Sequence, residues 1–261
     1  MNALRIGCVK YLNARPLIRG WPGDVDFDHP SALCKRLANG ELDVALVSSF
    51  EFLRNPIYRI VDDVSISSDG PVYSVVVAHR GDISEIREIE LDPASQTAVN
   101  LLRCLHGELG FKWRLVRRNT GVSPAGAKSI STDRARLLIG DQAIRFRESH
   151  AGEFRFWDLG EQWKKLIGLP FVYALWLVRP EIPDAKTIAS RLRTLRNENL
   201  ANLDELILAE TDFDHQFCAR YYREYLRFNF SEEEKEGLRT FANLCAKHGV
   251  LEKCDLRFDL V

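Results

Sequence analysis

The chain has 261 residues, enough for one large domain or two modest lobes and too few for three independent domains. Hydrophobic residues make up 46% and charged residues 28%, which is typical of a globular protein and excludes disordered, collagen-like and fibrous classes. The 36 Lys and Arg residues face 37 Asp and Glu residues, so a net charge of -1 creates no global field that attracts a polyanion. We therefore expect no nucleic-acid partner.

The apolar segments and the N-terminal residues bear on localisation. The most apolar run, residues 168–178, is shorter than a membrane span and contains Pro170, so we expect no membrane span. The first residues pass directly into a strand pattern that includes Lys10, without the order of a secretory signal, and we expect a cytoplasmic protein. The six cysteines form no C-x-x-C pair, which favours reduced thiols.

The first third of the chain predicts the order strand, helix, strand. The strands cover residues 5–9 and 43–47, and the helix between them covers residues 30–40. The continuous apolar run in the second strand indicates a parallel crossover that is buried on both faces. Ser48 and Ser49 then occupy a strand-to-helix turn, where open parallel sheets collect ligands.

The rest of the chain alternates strand and helix before becoming helical. A turn-rich segment over residues 65–71 precedes a crossing strand over 72–78, and residues 171–178 form the return crossing. Between the crossings we predict strands over 88–91, 113–117 and 136–139 and a helix over 98–109; after them we predict helices over 184–196, 213–228 and beyond the Ser231 capping box.

These elements predict an α/β protein of two lobes, each a mixed, mainly parallel sheet flanked by helices, with a helical C-terminus. Residues 1–79 and 173–261 form lobe 1 in this prediction, and residues 80–172 form lobe 2. Two lobes joined by two extended segments are the organisation of a hinged clamp around a small molecule. We therefore expect a ligand cleft between the lobes.

Common catalytic motifs are missing from the sequence. It contains no phosphate-binding loop, no G-x-G-x-x-G, no H-E-x-x-H and no G-x-S-x-G. The six histidines lack the spacing of metal ligands. We name no metal and no cofactor.

Two turns rich in hydroxyl residues are candidate carboxylate sites. Ser48-Ser49 and Ser95-Gln96-Thr97 each lie where a strand passes into a helix, so N–H groups, hydroxyls and the helix dipole favour an anion. Either turn alone is more simply explained as an ordinary N-cap. Because such a turn occurs in both predicted lobes, the pair predicts a site for a small dianion.

Three further residues have both a functional and a structural interpretation. Asn13 follows the first strand, where its amide can bind a ligand or form an Asx-turn before Pro16. Asp141 follows a buried strand and either contacts substrate or caps the next helix. Tyr173 either walls a pocket or fills the core.

Five blocks of sequence resemble the chorismate dehydratases of the futalosine route to menaquinone. They are RIGCVKYLNARPL at residues 5–17, GELDVALVSS at 40–49, SSDGPVYSV at 67–75, LLIGDQA at 137–143, and DLGEQW with GLPFVYA at 158–163 and 168–174. The first two blocks are the most specific. One departure lies in the second hydroxyl-rich turn, where an Arg-Thr-Ser-like segment is expected and the chain has Gln96-Thr97-Ala98.

The resemblance implies a periplasmic-binding-protein-like (type II) fold that serves as an enzyme. The implied reaction removes water from chorismate, a dicarboxylate, and gives 3-[(1-carboxyvinyl)oxy]benzoate, whose ring is aromatic. We expect Asn13 to be catalytic, aligning either the departing hydroxyl or a substrate carboxylate that acts as the base. The expected substrate-binding residues are Tyr11, Ser48, Ser49, Ser68, Gly70, Ser95, Gln96, Thr97, Asp141 and Tyr173.

Two alternative functions stay open. The 1,4-dihydroxy-6-naphthoate synthase of the same pathway shares the expected fold, but the Tyr11-Leu12-Asn13 triplet favours the dehydratase. A non-catalytic binding protein is the other alternative, although we find neither a signal segment nor a DNA-binding module. The sequence makes no prediction of the oligomeric state.

Overall fold

The computed structural model describes residues 4–92, 95–117, 131–253 and 255–261, and its strands form two five-stranded sheets. The first sheet contains, in spatial order, β2 (Val25–Asp28), β1 (Ile6–Val9), β3 (Val44–Ser48), β10 (Phe171–Val178) and β4 (Arg59–Ser68). The second contains β7 (Arg114–Arg117), β6 (Glu88–Leu91), β8 (Arg134–Ile139), β5 (Val75–His79) and β9 (Arg155–Asp158).

Helices flank both sheets and fill the C-terminal third. They are α1 (Arg15–Ile18), α2 (Pro30–Ala38), α3 (Ser49–Arg54), α4 (Gln96–Leu109), α5 (Gly140–Ser149), α6 (Leu159–Ile167), α7 (Ala185–Ala201), α8 (Leu203–Leu208), α9 (His215–Arg220) and α10 (Glu232–Lys247). A π-helical turn, Tyr221–Tyr225, follows α9 directly. None of the helices in the described ranges has the length and apolarity that a bilayer crossing requires.

One strand in each sheet runs against the other four. In the first sheet β10 pairs antiparallel with β3 and β4, while β1 pairs parallel with β2 and β3. In the second sheet β5 pairs antiparallel with β8 and β9, while β6 pairs parallel with β7 and β8. The sheets are therefore mixed and mainly parallel, as predicted, and β5 and β10 are the strands that follow the two crossings between them.

The lobe boundaries can be placed at these crossings. The sequence prediction assigned residues 1–79 to lobe 1, but β5 hydrogen-bonds with strands of the second sheet. We propose that the chain enters lobe 2 over residues 69–74 and returns over residues 168–170, because these segments connect the two sheets.

Two predicted elements of lobe 1 and the C-terminal third differ in the structure. Residues 65–68 were predicted as part of a turn, but they extend β4, because residues 227–229 supply hydrogen bonds on its outer side. The Ser65 hydroxyl donates to the carbonyl of Asn229, and the backbone of Ser67 pairs with that of Arg227. The helix predicted over residues 213–228 ends earlier, since Leu226 has extended backbone.

Local capping explains where the main helices begin and end. The Ser95 hydroxyl accepts a hydrogen bond from the N–H of Ala98 at the start of α4, and Gly110 ends that helix with a left-handed φ of 70°. The Ser231 and Glu234 side chains form the predicted capping box of α10. Asp158 caps α6 by accepting from the N–H groups of Gly160 and Glu161.

The carboxyl ends of the strands in both sheets meet at a shared edge. β1 and β3 end there in lobe 1, and β6 and β8 end there in lobe 2, immediately before the loops that carry most of the predicted site residues. In open sheets of this kind the carboxyl ends of the strands form the ligand crevice.

We predict that Gly140→Ala destabilises the protein more than Gly110→Ala. Gly140 has a left-handed φ of 54°, and a Cβ there would lie 2.9 Å from the ring of Tyr11. Gly110 shares the left-handed backbone but a Cβ there meets no atom within 4 Å. Both variants carry the backbone cost of about 1–2 kcal/mol, and Gly140→Ala adds the displacement of Tyr11. Urea unfolding measures the difference, and equal losses would contradict the contact.

Candidate functional site

A small, partly open cavity lies between the lobes at the carboxyl ends of the strands. Its volume is about 70 Å³. Tyr11, Asn13, Ser48 and Tyr173 line it from lobe 1, and Thr97 faces them from lobe 2. No charged side chain is among the described residues that line it. The cavity is far smaller than the roughly 300–1,000 Å³ of a typical ligand pocket, so the structure is a closed arrangement of the lobes.

Thr97 makes the hydrogen bonds that close the two turns on each other. Its hydroxyl oxygen is bonded to the hydroxyl of Ser48, lies 3.3 Å from the hydroxyl oxygen of Ser49, and accepts from the N–H of Phe50 at 3.2 Å. All of these groups are buried. The hydroxyl of Thr97 thus occupies the point at which three polar groups of lobe 1 converge.

This convergence identifies where an anion can bind. The Thr97 oxygen accepts a hydrogen bond from the N–H of Phe50, and a carboxylate oxygen in the same position could do so too. The Ser48 hydroxyl, which is bonded to the Thr97 hydroxyl here, could donate to the same carboxylate oxygen. The Ser49 hydroxyl also donates to the carbonyl of Val172 at 2.7 Å, which anchors the turn to β10. A ligand carboxylate would replace Thr97 at this point when the lobes separate.

Asn13 lines the cavity and carries an unsatisfied acceptor. Its Oδ1 is buried and has no hydrogen-bond partner in the described part of the chain. The loop before it is fixed, since the N–H of Leu12 donates to Oδ1 of Asp141 at 2.8 Å. An unpaired acceptor of this kind carries a free-energy cost of about 1–3 kcal/mol, which a bound hydroxyl or N–H group can offset. Asn13 is therefore suited to accept a hydrogen bond from a ligand.

Two tyrosines also line the cavity. Burial, together with the charges of Asp92 and Asp141, raises the pKa of Tyr11 to about 12. Burial also raises the pKa of Tyr173 well above its usual value, and the Tyr173 hydroxyl lies 3.1 Å from the hydroxyl of Ser68. Both phenols are therefore protonated hydrogen-bonding groups at neutral pH rather than bases.

Several predicted site residues lie beside the cavity rather than on its wall. The Ser68 hydroxyl donates to the carbonyl of Gly70 at 3.0 Å and also contacts the Tyr173 hydroxyl. Neither they nor Ser49 or Gln96 is among the residues that line the cavity. Ser95 does line it, while its hydroxyl caps α4.

Asp141 faces a second, more open cavity of about 810 Å³, which also contacts Lys10 and Arg15. Its carboxylate holds the N–H of Leu12, and burial raises its pKa. This bond is neither the substrate contact nor the helix cap that the sequence suggested for Asp141. It joins Asp141 of lobe 2 to the loop of lobe 1 that carries Asn13.

The sequence interpretation missed a hydroxyl network beneath Asn13. The Tyr221 hydroxyl donates to Oγ of Ser74 at 2.6 Å, and the Tyr222 hydroxyl donates to the carbonyl of Leu12 at 3.0 Å. The aromatic richness of residues 213–228 was the available signal, but no local pattern shows which loop these rings contact.

Comparison with known proteins assigns the chain to a family. A family model described as menaquinone biosynthesis matches residues 4–247. The chain belongs to this menaquinone biosynthesis family. Within the menaquinone biosynthesis family, it is 32% identical over 262 residues to the chorismate dehydratase of Thermus thermophilus, an alignment that covers 93% of this chain and 95% of the relative.

Solved structures with the same fold confirm the predicted architecture. A protein from Archaeoglobus fulgidus has a TM-score of 0.74 and 17% identity, covering 95% of this chain and 98% of that chain. The periplasmic aliphatic sulphonate binding protein of Escherichia coli has a TM-score of 0.66 and 14% identity, covering 99% of this chain and 96% of that chain. At these identities the likeness establishes the periplasmic-binding-protein-like fold alone.

We predict that Thr97→Val opens the unliganded protein. The substitution keeps the side-chain shape but removes the oxygen that bonds the Ser48 turn, so the closed form loses several hydrogen bonds worth about 1 kcal/mol each. The population should shift at least about tenfold toward the open form. Small-angle X-ray scattering should show a larger radius of gyration, with exposed Thr187→Val as the control. An unchanged radius would contradict the closing role of Thr97.

Proposed function

We propose that this protein is a cytoplasmic chorismate dehydratase, which eliminates water from chorismate to give 3-[(1-carboxyvinyl)oxy]benzoate, the first step of the futalosine route to menaquinone. The observation that carries the proposal is the uncharged cavity at which Asn13 and the Ser48 turn meet Thr97, in a chain with the family membership reported above. Chorismate carries carboxylates and a hydroxyl group. The Ser48 hydroxyl and the Phe50 N–H are donors suited to a carboxylate, and the unpaired amide oxygen of Asn13 is an acceptor suited to a hydroxyl.

The composition of the cavity wall supports a substrate carboxylate as the base. No Asp, Glu, His, Lys or Arg is among the described lining residues, and the two lining tyrosines are protonated at neutral pH. In the proposed step the carboxylate of the carboxyvinyl group takes the ring hydrogen at the ether-bearing carbon as a proton. The electron pair of that C–H bond forms the new ring double bond, the neighbouring C–O bond breaks, and the hydroxyl leaves with the proton as water.

The protein then contributes mainly orientation. The hydroxyl of Ser48 and the N–H of Phe50 hold one carboxylate of the substrate in the place of the Thr97 oxygen, and Asn13 aligns the departing hydroxyl. Because the product ring is aromatic, the reaction is downhill, and orientation with hydrogen bonding can supply several orders of magnitude in rate. The apolar wall around Val9 and Ile139 excludes water from the reacting atoms once the lobes close.

We predict that the purified protein converts chorismate and that Asn13→Ala lowers kcat by at least about a hundredfold, because the departing hydroxyl loses its alignment. Absorbance and mass spectrometry follow the new aromatic product. Product binding, measured by calorimetry, should persist in the variant, which separates catalysis from folding. Full activity of Asn13→Ala would contradict its role, and wild-type protein that binds chorismate without turnover would indicate a binding protein.

Ser48→Ala and Ser95→Ala should separate ligand binding from helix capping. Ser48→Ala removes a donor from the anion position, so we expect kcat/KM for chorismate to fall about 10–100-fold. Ser95→Ala removes the cap of α4, so we expect a stability loss of about 1 kcal/mol and a smaller change in kcat/KM. Steady-state kinetics and urea unfolding measure both effects. A reversed order would assign the anion contact to Ser95 instead.

A further inference from the structure

Two cysteine side chains contact each other in the interior of the protein, although Cys104 and Cys245 are 141 residues apart along the chain. Their Sγ atoms lie 3.7 Å apart, and both residues are fully buried. Because the S–S bond of a disulfide is about 2.0 Å long, the two atoms need to approach each other by only about 1.7 Å to be bonded. Both thiols are free in this structure, and neither residue is among the described ones that line the cavity.

The two thiols lie on helices of different lobes. Cys104 is in α4, whose first turn carries Thr97 of lobe 2, and Cys245 is in the last turn of α10. The first half of α10 is attached to lobe 1, since Nζ of Lys235 lies 3.0 Å from Oδ1 of Asp62 in β4. A covalent bond between the thiols would therefore tie α4 of lobe 2 to lobe 1.

A second contact beside the thiols holds the same two helices together. Glu108, one helical turn after Cys104, forms an ion pair with Lys247 and a hydrogen bond with Nε2 of His248, both at 2.6 Å. Gly107 permits this approach, because a Cβ there would lie 2.4 Å from the ring of His248. The ends of α4 and α10 are thus closely packed, and this packing keeps the two thiols facing each other.

We propose that Cys104 and Cys245 are a redox modification site, at which a peroxide forms a disulfide that holds the two lobes in the closed form. The thiolate of one cysteine attacks a peroxide oxygen, the O–O bond breaks, and a sulfenic acid and one water are formed. The sulfur of the other cysteine attacks the sulfenic sulfur, the S–O bond breaks, and a second water leaves as the S–S bond forms. The two thiols lose two electrons and two protons, which reduce hydrogen peroxide to two waters.

The closed form protects the thiols, and lobe opening exposes them. The hydrogen bond with Cys104, together with burial, raises the pKa of the Cys245 thiol, so the closed form offers little thiolate. The cavity of about 70 Å³ is too small for a typical ligand, so the lobes separate to admit one. A peroxide reaches the thiols in the separated state, and the next closure brings the two sulfurs together. The disulfide then prevents further opening until a thiol reductant breaks it.

Peroxide treatment of the purified protein tests whether the pair forms. We expect mass spectrometry of a non-reduced digest to show two peptides linked through Cys104 and Cys245, and dithiothreitol to separate them. Cys104→Ala and Cys245→Ala each remove one thiol and should abolish the link, so either variant suffices if the other does not fold. Cys218→Ala is the matched control, because Cys218 is also free and buried but lies in α9. This control should keep the link.

Hydrogen exchange measures whether the disulfide holds the lobes closed. The N–H of Phe50 in lobe 1 donates to the hydroxyl oxygen of Thr97 in lobe 2, so it exchanges with solvent when the lobes separate. We expect its exchange to slow at least about tenfold in the oxidised protein and to recover with dithiothreitol. In the same samples kcat/KM for chorismate should fall at least about tenfold, because fewer molecules reach the open form. Neither quantity should respond to peroxide in Cys104→Ala.

Three results would overturn the inference. They are the absence of a link between Cys104 and Cys245 after peroxide treatment, a link that leaves the exchange of the Phe50 amide unchanged, and a peroxide response in Cys104→Ala as large as that of the wild-type protein. If wild-type protein fails to convert chorismate, the proposed function fails. The linked peptides and the Phe50 exchange are independent of turnover, so they still decide whether the disulfide holds the lobes together.

Discussion

The contact on which the cleft depends is the hydrogen bonding of the Thr97 hydroxyl to the Ser48 turn. It joins the N-terminus of α4 in lobe 2 to the end of β3 in lobe 1. These groups are buried, so separating the lobes leaves each of them in need of another partner. Water or, in the proposed function, a ligand carboxylate can be that partner, because a carboxylate oxygen accepts hydrogen bonds as the Thr97 oxygen does. Under the proposed function, lobe opening and ligand entry would involve the same few donors.

The proposed ligand carries two carboxylates, and the described cavity wall that would bind it carries no charged side chain. A buried carboxylate without partners is very unfavourable, but oriented hydroxyl and N–H dipoles can compensate its charge. A fixed arginine in the wall would pair with the carboxylate of the carboxyvinyl group and weaken it as a base. In the proposed reaction, neutral donors bind one carboxylate while the other keeps its basicity. Asp141 is consistent with this arrangement, because it faces the neighbouring cavity and bonds the N–H of Leu12.

The sequence predicted the two-lobed α/β fold, the return strand over 171–178 and the Ser48 turn, because apolar runs and short capping patterns are local signals. It missed the strand end at residues 65–68, since serine is common in turns and the hydrogen bonds that extend β4 come from residues 227–229. The wall residues Tyr11 and Asn13 lie in the block that resembles the family. Tyr221 could not be predicted, because its partners lie 147 residues or more away along the chain.

The C-terminal third is consequently part of the site rather than a cover for lobe 1. Residues 227–229 complete the outer side of β4, and the π-helical turn before them holds the Asn13 loop through the Leu12 carbonyl, so chain that follows lobe 2 supports two parts of lobe 1. The geometry of the Asn13 loop then depends on a contact of high sequence separation, which no local pattern along the chain can specify.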